Sequence, residues 1–237
     1  MTTAEGRMDA PVLRVLLGPS QAILTSMLAL VVWAGYLTVT APDDFRGPYV
    51  VLLLCQSFAA STGYATRARR GHFDQLLAGR RSRWLFGLRH AVTSIAVGAI
   101  AWLAVSVLEA IGTGGHWPSG LTPGPLAAFA YISAAAWACS APFSRYSAGL
   151  VWLLVGITLA GSGRLVALRN VYVASFGTWT SLWQSAGAAV LFPPLVVGEL
   201  SGPPAFVTVV LLIAAVGAVA GGIWFVAGTS LPLEDAE

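Results

Sequence analysis

The sequence predicts an all-α polytopic membrane protein. Hydrophobic residues make up 57% of its 237 positions and charged residues only 10%, whereas a soluble domain carries about 25% charge. Apolar runs of roughly 20 residues recur along the chain, the length needed at about 1.5 Å per residue to cross a hydrocarbon core of about 30 Å. Such runs must be helical, because unpaired backbone amides are too costly in lipid and an open sheet leaves its edges unpaired. No segment shows the short alternating pattern of a β-barrel. The whole chain, residues 1–237, reads as a single transmembrane domain.

Residues 1–19 open the chain as a cytoplasmic or interfacial segment. Met1 to Gly18 holds Glu5 and Asp9 and lacks a long apolar stretch with a cleavage site, so it does not read as a cleaved signal peptide. Val12, Leu13, Val15, Leu16 and Leu17 surround Arg14, which suits a short helix lying on the inner leaflet; a disordered tail is the other reading. Six spans are expected: Ser20–Thr40, Pro48–Ala65, Ala91–Ile111, Pro125–Phe143, Ser147–Gly163 and Ala205–Gly228.

All thirteen basic residues are arginine, which with the abundance of Ala, Gly and Val suggests a GC-rich bacterial genome. Their positions set the orientation expected in a bacterial inner membrane. With the N-terminus inside, Arg7, Arg14, Arg145 and the seven arginines from Arg67 to Arg89 are cytoplasmic, and only Arg46, Arg164 and Arg169 are outside. Ten against three places both termini in the cytoplasm if there are six spans.

Residues 164–204 interrupt this regular count. Val171–Phe192 is moderately apolar but carries Ser, Thr, Gly and Gln184. It reads as a helical hairpin partly inserted from the outer side before the last span, since Pro193-Pro194 would break a helix and Tyr172, Trp179 and Trp183 suit an interface. A seventh span, which would put the C-terminus outside, is the alternative.

The loop at 66–90 carries the most information. Phe73, Leu76, Leu77, Trp84, Leu85 and Leu88 recur every three or four residues, a pattern of two short amphipathic helices broken near Gly79. Arg67, Arg69, Arg70, Arg80, Arg81, Arg83 and Arg89 suit anionic lipid headgroups, each contributing about 1 kcal/mol near the surface. The block Gly71, His72, Phe73, Asp74, Gln75, Leu76, Leu77 between them is not explained by headgroups alone.

That block resembles the turn between the second and third spans of type 2 ABC-transporter permeases, which commonly runs Gly-Thr-Leu-Glu-x-Leu-Leu-Ala-Thr-Pro-x-Ser-Arg. Gly71, Phe73, Asp74, Leu76, Leu77, Ala78, Ser82 and Arg83 match it without a gap. His72 stands in place of the threonine, Arg80 where proline is common, and Arg69-Arg70 where an acidic residue often precedes the glycine. The layout is similar as well, from the N-terminal interfacial helix to the hairpin before the last span. The resemblance implies that the turn is a coupling helix seated on a separate ATP-binding subunit, with Gly71 to Leu77 as the contact. It implies an exporter of a hydrophobic or amphipathic compound, paired with a second permease copy or paralogue. ATP and magnesium would belong to the partner, because this chain has no G-x-x-x-x-G-K-[ST] loop and no lysine with which to make one.

Other classes find less support. His72, His90 and His116 all fall in loops and form no H-E-x-x-H pattern, so neither a metal site nor an intramembrane serine protease is expected, and no catalytic residue is assigned. The span interiors hold no charged residue near their centres, unlike ion-coupled transporters; they suit an apolar cargo, or a non-transporting membrane anchor or assembly subunit. Glu109, near the end of the third span, reads first as a headgroup-facing acid and second as a gate or cargo contact. Trp137 and Trp152 lie deeper than the other tryptophans and suit either core packing or contact with cargo. Gly217 to Gly221 forms a small-xxx-small face suited to internal packing or, secondarily, to a dimer. Cys55 and Cys139 sit in apolar runs and read as packed thiols. No nucleic-acid partner is expected.

Overall fold

The computed structural model describes residues 21–41, 44–61, 80–140, 147–173, 178–198 and 205–228. Among them every regular element is a helix. The helices are α1 (Gln21–Thr40), α2 (Arg46–Ser61), α3 (Arg80–Gly112), α4 (Pro123–Ser140), α5 (Ser147–Gly161), α6 (Arg164–Val173), α7 (Trp179–Leu191), α8 (Pro194–Gly198) and α9 (Ala205–Gly228), with a 3-10 turn at Ser119–Leu121 before α4. The six long apolar runs read from the sequence each contain a helix. The segment Gly71 to Leu77, together with Arg67, Arg69 and Arg70, lies outside the described residues, as does the N-terminal segment 1–19.

Among the described residues two helices are long and apolar enough to cross a membrane, in the stretches Ser94–Gly112 and Ala205–Phe225. A third candidate arises if Leu150–Gly161 and Arg164–Val173 count as one broken span, bent by 102° at the intervening residues. Gly163 makes that bend possible: its φ of +67° is a left-handed conformation that a Cβ would strain.

The second short helix expected in the arginine-rich loop is not separate. From Arg80 the backbone runs unbroken into α3, a helix of 33 residues. Nothing between Trp84 and Ala91 interrupts it, since neither Gly nor Pro falls there apart from Gly87, and one interior glycine costs only about 1 kcal/mol.

The bundle is organised around α2, which packs against α1, α3, α4, α5 and α8. Its first turn admits Pro48, whose missing N–H would have no helical partner there; α4 likewise starts with Pro123 and Pro125. The closest pairing is α9 with α4. At Gly222 a Cβ would lie 2.5 Å from the Trp137 ring and 3.1 Å from the Ala138 Cα, so only a glycine allows the two backbones to approach so closely.

Helix exteriors stay apolar. On α1 Met27, Leu30 and Ala34 form a buried stripe, while Leu28, Val32 and Tyr36 are well exposed. On α3 and α9, Ile100 and Val216 are 71% and 70% exposed. A helix apolar on all faces but packed on one requires an apolar surrounding, and the molecule is compatible with a bilayer on these grounds. Gly217 and Gly221 belong to this outer surface: a Cβ at either meets nothing within 4 Å. Among the described residues nothing packs against the small-residue face at these two positions.

α7 packs against α6. Thr178 caps α7 through a capping box, its Oγ1 accepting from the Ser181 N–H at 3.3 Å while the Ser181 Oγ accepts from the Thr178 N–H at 3.2 Å. α7 ends before Pro193-Pro194, as those residues require. Trp179 and Trp183 are exposed and meet Phe206 of α9, at ring-centroid distances of 5.5 and 5.0 Å. Tyr172 departs from the expected interfacial position: it is buried, and its carbonyl accepts a hydrogen bond from the Ser185 hydroxyl at 2.9 Å.

Candidate functional site

Three polar constellations stand out against this apolar background. The first lies at the Gly112 end of α3, opposite the arginine-rich end. Glu109 is not headgroup-facing. It is 7% exposed, turned into the bundle. Its Oε2 accepts the Tyr49 hydroxyl at 2.7 Å and its Oε1 accepts the Ser119 backbone N–H at 3.0 Å. The Tyr49 hydroxyl also lies 2.9 Å from the Ser106 Oγ. A phenol has one proton, and the carboxylate is the stronger acceptor, so Tyr49 donates to Glu109. The Ser106 hydroxyl is then a donor, to Tyr49 or to the Trp102 carbonyl at 3.0 Å.

Trp102 completes this group by donating its indole N–H to the Gly120 carbonyl at 2.9 Å. Its ring stacks at a tilt between Tyr49 and Phe129, with centroids 4.7 and 5.0 Å away. Gly120 lies against the Tyr49 ring, where a Cβ would collide with it. The cluster thus joins α2, α3 and the turn before α4. Desolvating a carboxylate costs several kcal/mol unless donors compensate, and here each oxygen has one. The arrangement anchors a connection between these elements.

The second constellation sits midway along α3. Gln56 of α2 is fully buried and donates through Nε2 to the Ser94 carbonyl and to the Ser133 Oγ, both at 3.1 Å. It therefore ties α2 to α3 and α4. Its Oε1 has no hydrogen-bond partner and points at Gly98, which has no Cβ to obstruct it. Such interhelical bonds contribute about 0.6–2 kcal/mol in an apolar medium.

The third is a cavity of about 410 Å³ between α2, α6 and the α7–α8 junction. Arg46 and Arg169 line it together with Val50, Leu165, Phe192 and Leu195. Arg46 donates to the Gly198 carbonyl at 3.2 Å, at the end of α8.

The residues singled out in the sequence are scattered over these features. Arg80, Arg81, Arg83 and Arg89 lie on the first half of α3. Glu109 and Trp137 are not brought together: Glu109 bonds to Ser119 just before α4, and Trp137 lies 14 residues past the α4 start at Pro123, about 21 Å along the axis. Trp137 is 1% exposed and packed on Gly222; Trp152 is 8% exposed and meets Tyr131 edge-on at 6.3 Å. Cys55 and Cys139 are free thiols, half-buried. No group of His, Cys, Asp or Glu among the described residues could hold a metal ion.

Tyr49, Ser106 and Gln56 escape a reading of the sequence alone. Gln56 leaves one signal, an amide inside the run Val50 to Ala60; Tyr49 leaves none, because its partner is 60 residues away. No protein-family model, curated protein or solved structure matches the chain.

Proposed function

We propose that this chain is the membrane-spanning permease subunit of an ATP-driven exporter in a bacterial inner membrane. In this reading α1, α2, α3, α4, α5 and α9 are the six spans, both termini are cytoplasmic, and α6–α7 forms the partly inserted outer hairpin. The apolar runs that hold α2 and α4 extend in the sequence to Ala65 and Phe143, near the length that a crossing needs.

The observation that carries the proposal is α3. It starts within the arginine-rich loop, next to the coupling-helix block Gly71 to Leu77, and runs without a break to the Glu109 cluster. One rigid element thus connects the predicted docking site of a separate ATP-binding subunit with the opposite end of the bundle. The bend of 102° between α5 and α6 further supports a hairpin before the last span. Apolar helix faces suit a hydrophobic or amphipathic cargo. ATP and magnesium act in the partner subunit, and a second copy or paralogue completes the translocation path.

Replacing Phe73, Asp74 and Leu77 with alanine tests the reading. The triple variant should insert normally yet lose a co-expressed candidate ATPase subunit during purification. Undiminished retention of the ATPase would remove the coupling-helix assignment, and substrate turnover by the purified chain without nucleotide would contradict the class. Cysteine at Gly217 or Gly221, on the open face of α9, should cross-link to a second copy if α9 lies at that contact.

A further inference from the structure

We infer that α6, α7 and α8 form a flat collar lying in the phospholipid headgroup layer, at the end of the bundle that holds the Glu109 cluster. The inference rests on the reading of α5 as a span, and deepens it by fixing the depth of the outer hairpin, which enters only as far as the interface.

The bend at Gly163 sets the direction. α5 and α6 meet at 102°. Spans tilt by about 20° on average from the bilayer normal, so α6 lies within roughly 30° of the membrane plane. Its 10 residues are about 15 Å long, and at that slope its two ends differ in depth by no more than about 8 Å. Composition agrees. Arg164 opens the helix and Asn170 follows within two turns, both exposed. A leg running straight inward would carry Asn170 about 9 Å below Arg164, its amide among acyl chains that offer no hydrogen-bond partner.

Two contacts hold the rest of the segment at the same level. Trp179 and Trp183 of α7 meet Phe206, the second residue of α9. The guanidinium of Arg46, the first residue of α2, donates to the carbonyl of Gly198, the last residue of α8. As the second and sixth spans, α2 and α9 both begin on the outer side. Their packing agrees: Gly120, just before α4, lies against Tyr49 early in α2, and Gly222, late in α9, packs on Trp137 late in α4. The segment thus reaches across one end of the bundle, from the start of α9 to the start of α2. α7 is only about 20 Å long, short of the about 30 Å of a hydrocarbon core.

The outward side chains identify the partner. Trp179 and Trp183 are 66% and 51% exposed, with Gln184 exposed beside them, and on α6 Val166 and Val171 accompany Arg164 and Asn170. Indole rings among amide and guanidinium groups favour the layer where one end of each side chain is wet and the other apolar. The collar is also continuous with the apolar exterior of α5, where Leu154 and Ile157 are exposed.

The test places single spin labels on the full chain in phosphatidylcholine nanodiscs, in a Cys55→Ala, Cys139→Ala background. Depth is read from accessibility to oxygen against a nickel chelate. The label sites are the exposed positions Leu154→Cys on α5, Val166→Cys, Asn170→Cys and Val173→Cys on α6, and Gln184→Cys on α7. The Leu154→Cys label should lie about 10 Å below the end of α5. The other four should sit at headgroup level, within about 8 Å of one another. A steady fall along α6, with Val173→Cys about 10 Å below Val166→Cys, would overturn the collar and leave α5 a span. A Leu154→Cys label at headgroup level would instead overturn the reading of α5, and the collar with it. Labels on α6 and α7 as accessible to the nickel chelate as a free label in water would refute the lipid partner and leave that surface to a protein.

Discussion

Gln56 and Gly98 make the clearest case at the scale of single residues. The amide reaches Ser94 and Ser133 only because position 98 has no side chain. Gly98→Ala should therefore expel the amide and destabilise the chain by about 2–3 kcal/mol, combining overpacking with lost bonds. In a Gln56→Ala background the same change should cost almost nothing, a coupling measurable by unfolding in detergent. Tyr49→Phe should cost about 1–3 kcal/mol by leaving the Glu109 carboxylate short of a donor; a variant as stable as the parent would show that another group replaces it. At this scale the sequence is least legible. Glu109 is visible as an acid near a span end, but which way it faces depends on Tyr49 and Ser119, and the second of these is a backbone amide.

Whole elements are far more legible. Each long apolar run holds a helix, because hydrophobicity and backbone satisfaction both demand one in an apolar medium. Pro193-Pro194 ends α7 where steric clash requires it. The continuity of α3 from Arg80 is harder to foresee, since amphipathic and uniformly apolar segments differ in pattern yet share a backbone. The two classes of glycine in α9 separate only in three dimensions. Gly222→Ala should weaken the α4–α9 pairing by about 1–3 kcal/mol through overpacking. Gly217→Ala and Gly221→Ala, which meet open space, should be neutral or stabilise the helix by up to about 1 kcal/mol each. Thermal melts of the monomer would distinguish the two groups.

For the molecule as a whole, compatibility with a membrane follows from composition, whereas the proposed partners rest on a resemblance carried by the motif Gly71 to Arg83 and by the layout of the chain. A reporter fused after Glu237 should be active only in the cytoplasm; activity outside would place an odd number of spans in the membrane. Helix α3 has a mechanical consequence in either case. A rod of 33 residues is about 50 Å long; Trp102, Ser106 and Glu109 hold it near one end, and Gln56 grips the Ser94 carbonyl midway. Were the helix to pivot at Glu109, a swing of about 5° would carry the Arg80 end through about 4 Å, some two-thirds of the pitch of one helical turn. The length of the helix would thus turn a small angle at one end into a displacement of side-chain size at the other.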